Sequence, residues 1–231
     1  MRIASWNVNS AKARQDHILD FLKAGMTDVL LIQETKTQDP NFPETLYTDI
    51  GWNVVFHGQK SYNGVAIASR HPISDVMTGL PGDDEDEQAR YMEASIGGVR
   101  VATIYLPNGN PAPGPKFDFK LAWMNRLNAR ATTLLKDEVP VVLAGDFNVI
   151  PQDIDCYDPP GWEGDALTRP ESRAAFFRLA NLGYTDALRA CHPGRVVYSY
   201  WDYQAGAWQK DNGVRIDHLM QIGRASCRER V

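Results

Sequence analysis

The chain has 231 residues, of which 43% are hydrophobic and 23% charged, and its formal net charge is −5 at pH 7. This composition excludes a disordered chain, a collagen and a small disulfide-stabilised protein. The negative charge gives no sign of a generally basic surface, so any polyanion must be bound locally. The cysteines, Cys156, Cys191 and Cys227, form no C-x-x-C pair, which argues against a structural zinc site and favours the reducing cytoplasm. No apolar run approaches the roughly 18 residues of a membrane span, and Met1 leads directly into strand-like sequence, so we expect neither a membrane segment nor an export signal.

The first half of the chain alternates short apolar runs with one helical pattern. Strands are predicted over 2–7, 29–32, 52–56, 64–69, 92–96 and 99–105, and a helix over 11–24. The polar turn at 58–61 predicts that the third and fourth strands form a hairpin. Gly97 and Gly98 supply the positive φ angles of a second, tight hairpin turn.

The second half is richer in helices. The patterns predict helices over 117–136 and 171–182, a further helical turn within 184–190, a Pro- and Gly-rich loop over 151–164, and strands over 139–144, 196–202 and 214–219. Hairpins mixed with helices that join distant strands are typical of two packed mixed sheets with helices outside them. We therefore predict an α/β sandwich in one domain.

Polar side chains stand at the ends of four predicted strands: Asn7, Glu34, Asn108, and Asp146 with Asn148. Loops begin where strands end, so side chains at several strand ends can meet in one cleft. Their oxygen donors suit Mg²⁺ or Mn²⁺ rather than zinc. If the strand continues to Asn148, this residue and Asp146 share a face, where one could move a proton while the other holds an oxyanion.

Structural roles are the alternative for the same residues. Asp and Asn after a strand often form turns, in which the side chain hydrogen-bonds nearby backbone amides. Glu34 is harder to explain in this way, because a glutamate after four aliphatic residues needs a cation or a donor as partner. Asp217, inside an apolar run, could simply pair with Arg215, two residues away.

Five sequence blocks occur in an order and spacing that resemble the exonuclease III family of DNA-repair nucleases, within the wider endonuclease/exonuclease/phosphatase superfamily. The blocks are Trp6-Asn7-Val8-Asn9-Ser10, Leu31-Ile32-Gln33-Glu34-Thr35-Lys36, Tyr105-Leu106-Pro107-Asn108-Gly109, Gly145-Asp146-Phe147-Asn148 and Arg215-Ile216-Asp217-His218. The segments Asn63-Gly64-Val65-Ala66-Ile67, Gly79-Leu80-Pro81-Gly82-Asp83-Asp84 and Tyr200-Trp201-Asp202-Tyr203 are also similar to the family. The resemblance implies a four-layer α/β sandwich and a Mg²⁺- or Mn²⁺-dependent phosphodiesterase acting at a 3′ end or 5′ to an abasic site.

The same resemblance implies roles for individual residues. Glu34, helped by Asn7, would hold the metal. Asp146 would position or deprotonate the attacking water, while Asn148 and Tyr105 would stabilise charge on the phosphate. Asp217 would orient a histidine.

The expected partner is double-stranded DNA with an abasic site or a 3′ end, bound by a monomer in the cytoplasm. Trp201 resembles the aromatic residue that lines the pocket for an extruded abasic sugar, and an ordinary core position is its alternative. The residues that could contact DNA are Lys36, Arg90, Asn108, Lys116 and Lys120. A solvated surface charge is the alternative for each of the cations.

The chain departs from the family near its end, where the sequence lacks the family's Ser-Asp-His block. Residues 1–221 are therefore interpreted as an incomplete endonuclease/exonuclease/phosphatase domain without its last strand, and 222–231 as a non-native tail. His218 cannot replace the missing histidine, because neighbours in a strand point to opposite faces. We predict weak or absent activity for this chain, with two alternative functions: a phosphatase of a small or lipid phosphate, or a non-catalytic DNA-binding remnant.

Overall fold

A computed structural model describes residues 1–223 of the chain. These residues group into two compact units. The first unit comprises Met1–Tyr105 together with Glu138–Asp146, and the second comprises Leu106–Asp137 and the described chain from Phe147 onward.

The first unit contains eight strands and two helices. The strands are β1 (Ile3–Asn7), β2 (Val29–Gln33), β3 (Asn53–His57), β4 (Val65–Ser69), β5 (Ser74–Thr78), β6 (Tyr91–Ile96), β7 (Val99–Tyr105) and β8 (Val141–Asp146), and the helices are α1 (Gln15–Lys23) and α2 (Glu44–Thr48). A short 3₁₀ helix lies at Asp39–Asn41.

These strands form two mixed sheets. The first has the order β1-β2-β4-β3, with β1 and β2 parallel and the other pairs antiparallel. In the second, β5, β6, β7 and β8 are neighbours in that order, and β7 and β8 are parallel. The predicted hairpins β3–β4 and β6–β7 are confirmed.

The two sheets are joined by a buried hydrogen bond: the Gln33 side chain donates to Thr103 Oγ1 over 2.9 Å. The run Val29–Ile32 is completely buried, as its unbroken apolar sequence predicts. On the other side of the first sheet, Ile18 and Leu22 of α1 pack into a core with Leu30 and Ile32. The burial of such apolar side chains contributes most of the favourable free energy of folding.

The second unit is built around two longer helices. Its elements are α3 (Pro115–Leu134), α4 (Pro170–Asn181), α5 (Ala187–Cys191), β9 (Thr185–Asp186), β10 (Tyr200–Trp201), β11 (Gly213–Val214) and β12 (Asp217–Ile222). Strand β12 pairs antiparallel with β9, and β10 with β11. Further 3₁₀ turns lie at Leu135–Asp137, Asp153–Asp155 and Pro160–Trp162. Its apolar cluster includes Phe117, Ile150 and Ile216.

Several sequence predictions are wrong in detail. The strand predicted over 196–202 is reduced to the two residues of β10, and the one predicted over 214–219 is broken between Val214 and Asp217. Strand β5 was not predicted, because most of its side chains are exposed and alternation is weak at such an edge. No helix among residues 1–223 combines the length and the apolar character that a membrane crossing requires.

Candidate active site

The candidate site lies in the first unit, where two parallel strand pairs end. Asn7 closes β1 opposite Gln33 of β2, and Tyr105 closes β7 opposite Asp146 of β8. Parallel strands present their carboxyl ends at the same edge, so the residues that follow them are brought together. The Asn7 amide Nδ2 donates to Glu34 Oε1 and to Asp146 Oδ2, each over 3.0 Å. Three of the predicted site residues are therefore within one set of hydrogen bonds.

The backbone around Glu34 has an unusual conformation. Glu34 has a φ of 54° and Lys36 a φ of 52°, both in the left-handed region that non-glycine residues seldom occupy. This turn is held by hydrogen bonds from the Thr35 and Lys36 amides to the carbonyls of Gly64 and Asn63. Gly64 has a φ of 92°, and a Cβ there would lie 2.0 Å from Thr35 Oγ1. Gly64 of the N-G pair is thus required by close packing against the turn that carries Glu34.

Glu34 remains ionised in this setting. Burial opposes its ionisation, but hydrogen bonds from Asn7, Lys36 and Tyr105 outweigh burial and lower the pKa of its carboxyl group. Lys36 Nζ lies 2.9 Å from Glu34 Oε2 and also donates to Asn9 Oδ1. Lys36 is therefore part of the carboxylate cluster rather than an isolated surface charge.

Tyr105 stays protonated next to these carboxylates. Burial, followed by the negative charges of Glu34 and Asp146, raises the pKa of its hydroxyl far above the usual value. The guanidinium group of Arg90 lies 4.8 Å from the centre of the Tyr105 ring and donates to Gln88 over 2.7 Å. Arg90 thus packs on a predicted site residue and is partly buried, so its interpretation as a solvated charge is wrong.

A basic groove of about 450 Å³ also lies in the first unit. It is lined by Lys12, Lys36, Thr37, Gln38, Asn41, Lys60 and Ser61. The sequence motifs did not indicate a role for Lys12 or Lys60. Only their positions in the sequence could have indicated this groove. Lys12 follows the first motif closely, and Lys60 lies in the polar turn of the first hairpin.

The second unit contains Asn108 and Asn148, whose side chains meet. Asn108 Nδ2 donates to Asn148 Oδ1 over 3.1 Å, and Asn148 Nδ2 donates to the Leu106 carbonyl over 2.9 Å. The sequence predicts that Asn148 and Asp146 share a face if the strand continues as far as Asn148. The strand does not continue, because β8 ends at Asp146 and Asn148 has a φ of 47°. The alternation of a strand therefore does not determine its direction.

The two predicted DNA-binding lysines of the second unit differ. Lys116 is exposed at the start of α3, where it is free to contact a phosphate. Lys120 has no exposed surface, and its Nζ contacts three backbone carbonyl oxygens. Both interpretations of Lys120, as a phosphate contact and as a solvated charge, are wrong. The helical periodicity of α3 places Lys120 beside apolar positions. Its charge can be buried because carbonyl groups from segments distant in the sequence accept its hydrogen bonds.

Asp217 opens β12 and is partly exposed, with its backbone N–H donating to Ser199 Oγ over 3.0 Å. Arg215 pairs with Asp155 and Asp186 instead of the suggested Asp217. His218 is buried, and its ring nitrogens contact Arg215 Nη1 and the Val149 carbonyl, each over 2.9 Å. Asp217 is partly exposed and the next residue, His218, is buried, so the two side chains lie on opposite faces of β12, as predicted. The predicted tail lies outside the described residues from position 224 onward.

Trp201 is not a core residue. It is partly exposed, donates from Nε1 to Asp211 over 3.0 Å and packs edge-to-face on Trp208 at 4.7 Å between ring centroids. Trp208 and Tyr203 are 67% and 74% exposed, so this loop presents aromatic surface to its surroundings. An aromatic residue in such a setting is available for stacking.

The donor set of the first unit fits Mg²⁺. Glu34 and Asp146 supply hard carboxylate oxygens, and Mg²⁺ is usually held by one or two carboxylates and water. Within residues 1–223, no cluster of three or more His, Cys, Asp or Glu side chains has metal-binding geometry. Glu34 and Asp146, each hydrogen-bonded to Asn7, are the residues that could hold the ion.

Comparisons with known proteins agree with this geometry. Residues 4–220 match the Endonuclease/Exonuclease/phosphatase family. The exodeoxyribonuclease of Bacillus subtilis (strain 168) is 32% identical over 226 residues, covering 95% of this chain and 87% of that protein. Among solved structures, the 3′ phosphatase NExo from Neisseria, bound to product DNA hairpin, matches with a TM-score of 0.94 and 38% identity over 96% of this chain and 86% of that chain.

An AP endonuclease from Archaeoglobus fulgidus matches with a TM-score of 0.92 and 35% identity, again over 96% of this chain and 86% of that chain. The α/β sandwich fold class is therefore confirmed. So is the resemblance to the exonuclease III family that the five blocks indicated.

Proposed function

The chain belongs to the Endonuclease/Exonuclease/phosphatase family, and on that premise we propose that it is a Mg²⁺-dependent DNA-repair nuclease of the exonuclease III type. It hydrolyses a phosphodiester at 3′ ends and 5′ to abasic sites. The observation that carries the proposal is the Asn7 amide bound to the carboxylates of Glu34 and Asp146. The names of its relatives, an exodeoxyribonuclease and an AP endonuclease, support the substrate class.

Glu34 would hold the metal, and Asn7 would fix the orientation of the Glu34 carboxylate. Bound there, Mg²⁺ would polarise a phosphate oxygen and stabilise charge on the leaving 3′-oxygen. The lowered pKa of Glu34 keeps this ligand deprotonated at neutral pH, as a hard cation requires.

The other residues act on water and phosphate. Asp146 orients the attacking water and accepts its proton. Tyr105, kept protonated by its raised pKa, donates its hydroxyl hydrogen as negative charge builds on the phosphate. Asn148 donates its amide to the same group.

Double-stranded DNA is the partner. The basic groove of Lys12, Lys36 and Lys60 binds the backbone by releasing counterions. Lys116 and Arg90 add charge, Asn108 contacts the substrate, and Trp201 lines the pocket for the abasic sugar. The enzyme acts as a monomer in the cytoplasm, where Cys156 and Cys191 stay free thiols.

Cleavage of a duplex with one abasic site, and of a duplex with a recessed 3′ end, tests the proposal. Because the sequence predicts weak activity, enzyme is in excess over DNA and Mg²⁺ is compared with EDTA. Glu34→Gln should abolish the Mg²⁺-dependent cleavage, whereas Glu44→Gln, a charge change at the exposed start of α2, should not change it. Release of phosphate from inositol phosphates without DNA cleavage would favour the phosphatase alternative. Salt-sensitive DNA binding without cleavage would favour the remnant.

A further inference from the structure

Lys120 connects three separate loops of the second unit. It lies on α3 with no exposed surface. Its Nζ donates to the carbonyls of Asn108, Asn148 and Ala166 over 3.0, 2.6 and 3.2 Å. A lysine ammonium has three N–H donors, so it can donate to all three carbonyls at once. These contacts offset the large cost of burying the charge.

The loop after β7 is shaped around the lysine stem. Gly109 has a φ of 90°, and a Cβ there would lie 2.6 Å from Lys120 Cδ. The Asn108–Gly109 turn therefore closes over the methylene groups, which only glycine allows at this distance. The Ala166 carbonyl accepts a second hydrogen bond, from Ser172 Oγ over 2.6 Å, so the third loop is fixed to α4 as well.

Two of these carbonyls belong to the asparagines whose side chains meet. Asn148 has its backbone in the left-handed region, with a φ of 47°, and its amide is held between Asn108 and the Leu106 carbonyl. Asparagine enters that region more readily than most residues, and here the contacts of Asn148 with Asn108, Leu106 and Lys120 hold it there. Of the three carbonyl contacts of Lys120, the one to Asn148 is the shortest.

We propose that Lys120 is a positioning residue for the reaction, which holds Asn148 in its left-handed conformation and thereby aims its amide at the phosphate. The inference rests on the proposed function, because that proposal gives Asn148 its role. Lys120 itself does not touch DNA in this scheme. Its buried charge also polarises the Asn148 peptide group, which adds positive potential near the donor.

A double-mutant cycle tests the coupling. The variants are Lys120→Met, Asn148→Ala and the double variant, assayed by single-turnover cleavage of abasic duplex at a temperature where thermal unfolding shows each to be folded. Lys120→Met should lower the cleavage rate constant by about 10²-fold, as small displacements of positioned groups do, with the half-saturating DNA concentration nearly unchanged. When Asn148 is already alanine, Lys120→Met should not lower the cleavage rate constant any further. Losses that multiply in the double variant would overturn the proposal.

Asn128→Ala is the matched control. Asn128 lies on the same helix and donates to the Ala175 carbonyl of α4 over 3.1 Å, away from the asparagine pair. It should lower thermal stability without lowering the rate of the folded protein. An equal rate loss in Asn128→Ala would show that any damage to α3 has this effect, and the proposal would fail.

Lys120→Arg covers the case in which Lys120→Met does not fold. Its planar guanidinium keeps the charge but cannot point at three carbonyls arranged around an ammonium. We expect a smaller rate loss than for Met, again absent in the Asn148→Ala background. No loss at all, or a loss that multiplies with that of Asn148→Ala, would overturn the proposal. Full activity in Asn148→Ala alone would instead reject the role of Asn148 in the proposed function.

Discussion

Two polar clusters, one in each unit, use the same residue types in opposite ways. In the first unit, the carboxylates of Glu34 and Asp146 share the neutral amide of Asn7, and Lys36 is the cation at Glu34. In the second unit, one fully buried carboxylate, Asp155, binds the guanidinium groups of Arg215 and Arg189. The first cluster carries negative charge that a metal ion can use, whereas the second balances its charges internally. The difference indicates a site for chemistry in one unit and a structural network in the other.

The largest expected effect is on catalysis at the first cluster. Asp146→Asn keeps the shape of the side chain but removes the group that accepts a proton, so the cleavage rate should fall by about 10²- to 10⁴-fold. The free energy of unfolding should not fall, because the change relieves repulsion between two carboxylates. Single-turnover cleavage and urea unfolding measure the two quantities. A large loss of stability would show that the first cluster is structural too.

The corresponding change in the second cluster should act on stability. Asp155→Asn leaves the partly buried Arg189 without its carboxylate and the buried Arg215 with Asp186 alone, so it should lower the free energy of unfolding by about 3–5 kcal/mol. Asp153→Asn is the control, since the Asp153 side chain is 72% exposed and its ion pair with Arg173 is worth at most about 1 kcal/mol. Urea unfolding of both variants measures the two losses of stability. Equal losses in Asp155→Asn and Asp153→Asn would contradict a structural role for the second cluster.

His218 makes the second cluster sensitive to acid. Burial, then the charges of Arg215 and Arg189, lower its pKa well below 6.5, with Asp155 acting in the opposite direction. The unfolded chain therefore binds a proton below about pH 6.5 that the folded chain does not, so stability is lost as pH falls. The contribution is at most about 1.4 kcal/mol per pH unit, the slope for one proton.

Urea unfolding between pH 7.5 and 5 measures this slope. His218→Gln should flatten it, because glutamine does not titrate. His71→Gln, a change at an exposed histidine, should leave it as it is. If His218→Gln has the slope of the unaltered protein, the acid sensitivity comes from other groups.

The smallest expected effect concerns DNA binding beside the first cluster. Lys60 is exposed in the basic groove, so Lys60→Gln should reduce the slope of log Kd against log salt by about 0.9. Lys136→Gln removes an exposed charge in the second unit and serves as the comparison. Fluorescence anisotropy with a labelled abasic duplex in Ca²⁺ at several salt concentrations measures both slopes. Equal slopes for the two variants would mean that the groove does not bind DNA.

The sequence was most informative where local pattern and burial agree. The apolar run Val29–Ile32 predicted a buried strand, and the polar residue after it predicted a site at the strand end. It was least informative at 196–202, where β-prone residues form only the short strand β10. There the Ser199 side chain hydrogen-bonds the amides of Ile216 and Asp217, a non-local interaction that periodicity does not reveal.

The sequence by itself determined the family, the sandwich fold class and the identity of the carboxylates and amides that end the strands, because short motifs and apolar runs are local properties. Tertiary structure decided that Asn7 joins Glu34 to Asp146 across 139 positions of the chain, and that Lys120 is buried rather than solvated. A hydrogen bond or a buried charge needs partners at about 3 Å. Those partners come from segments that only folding brings together.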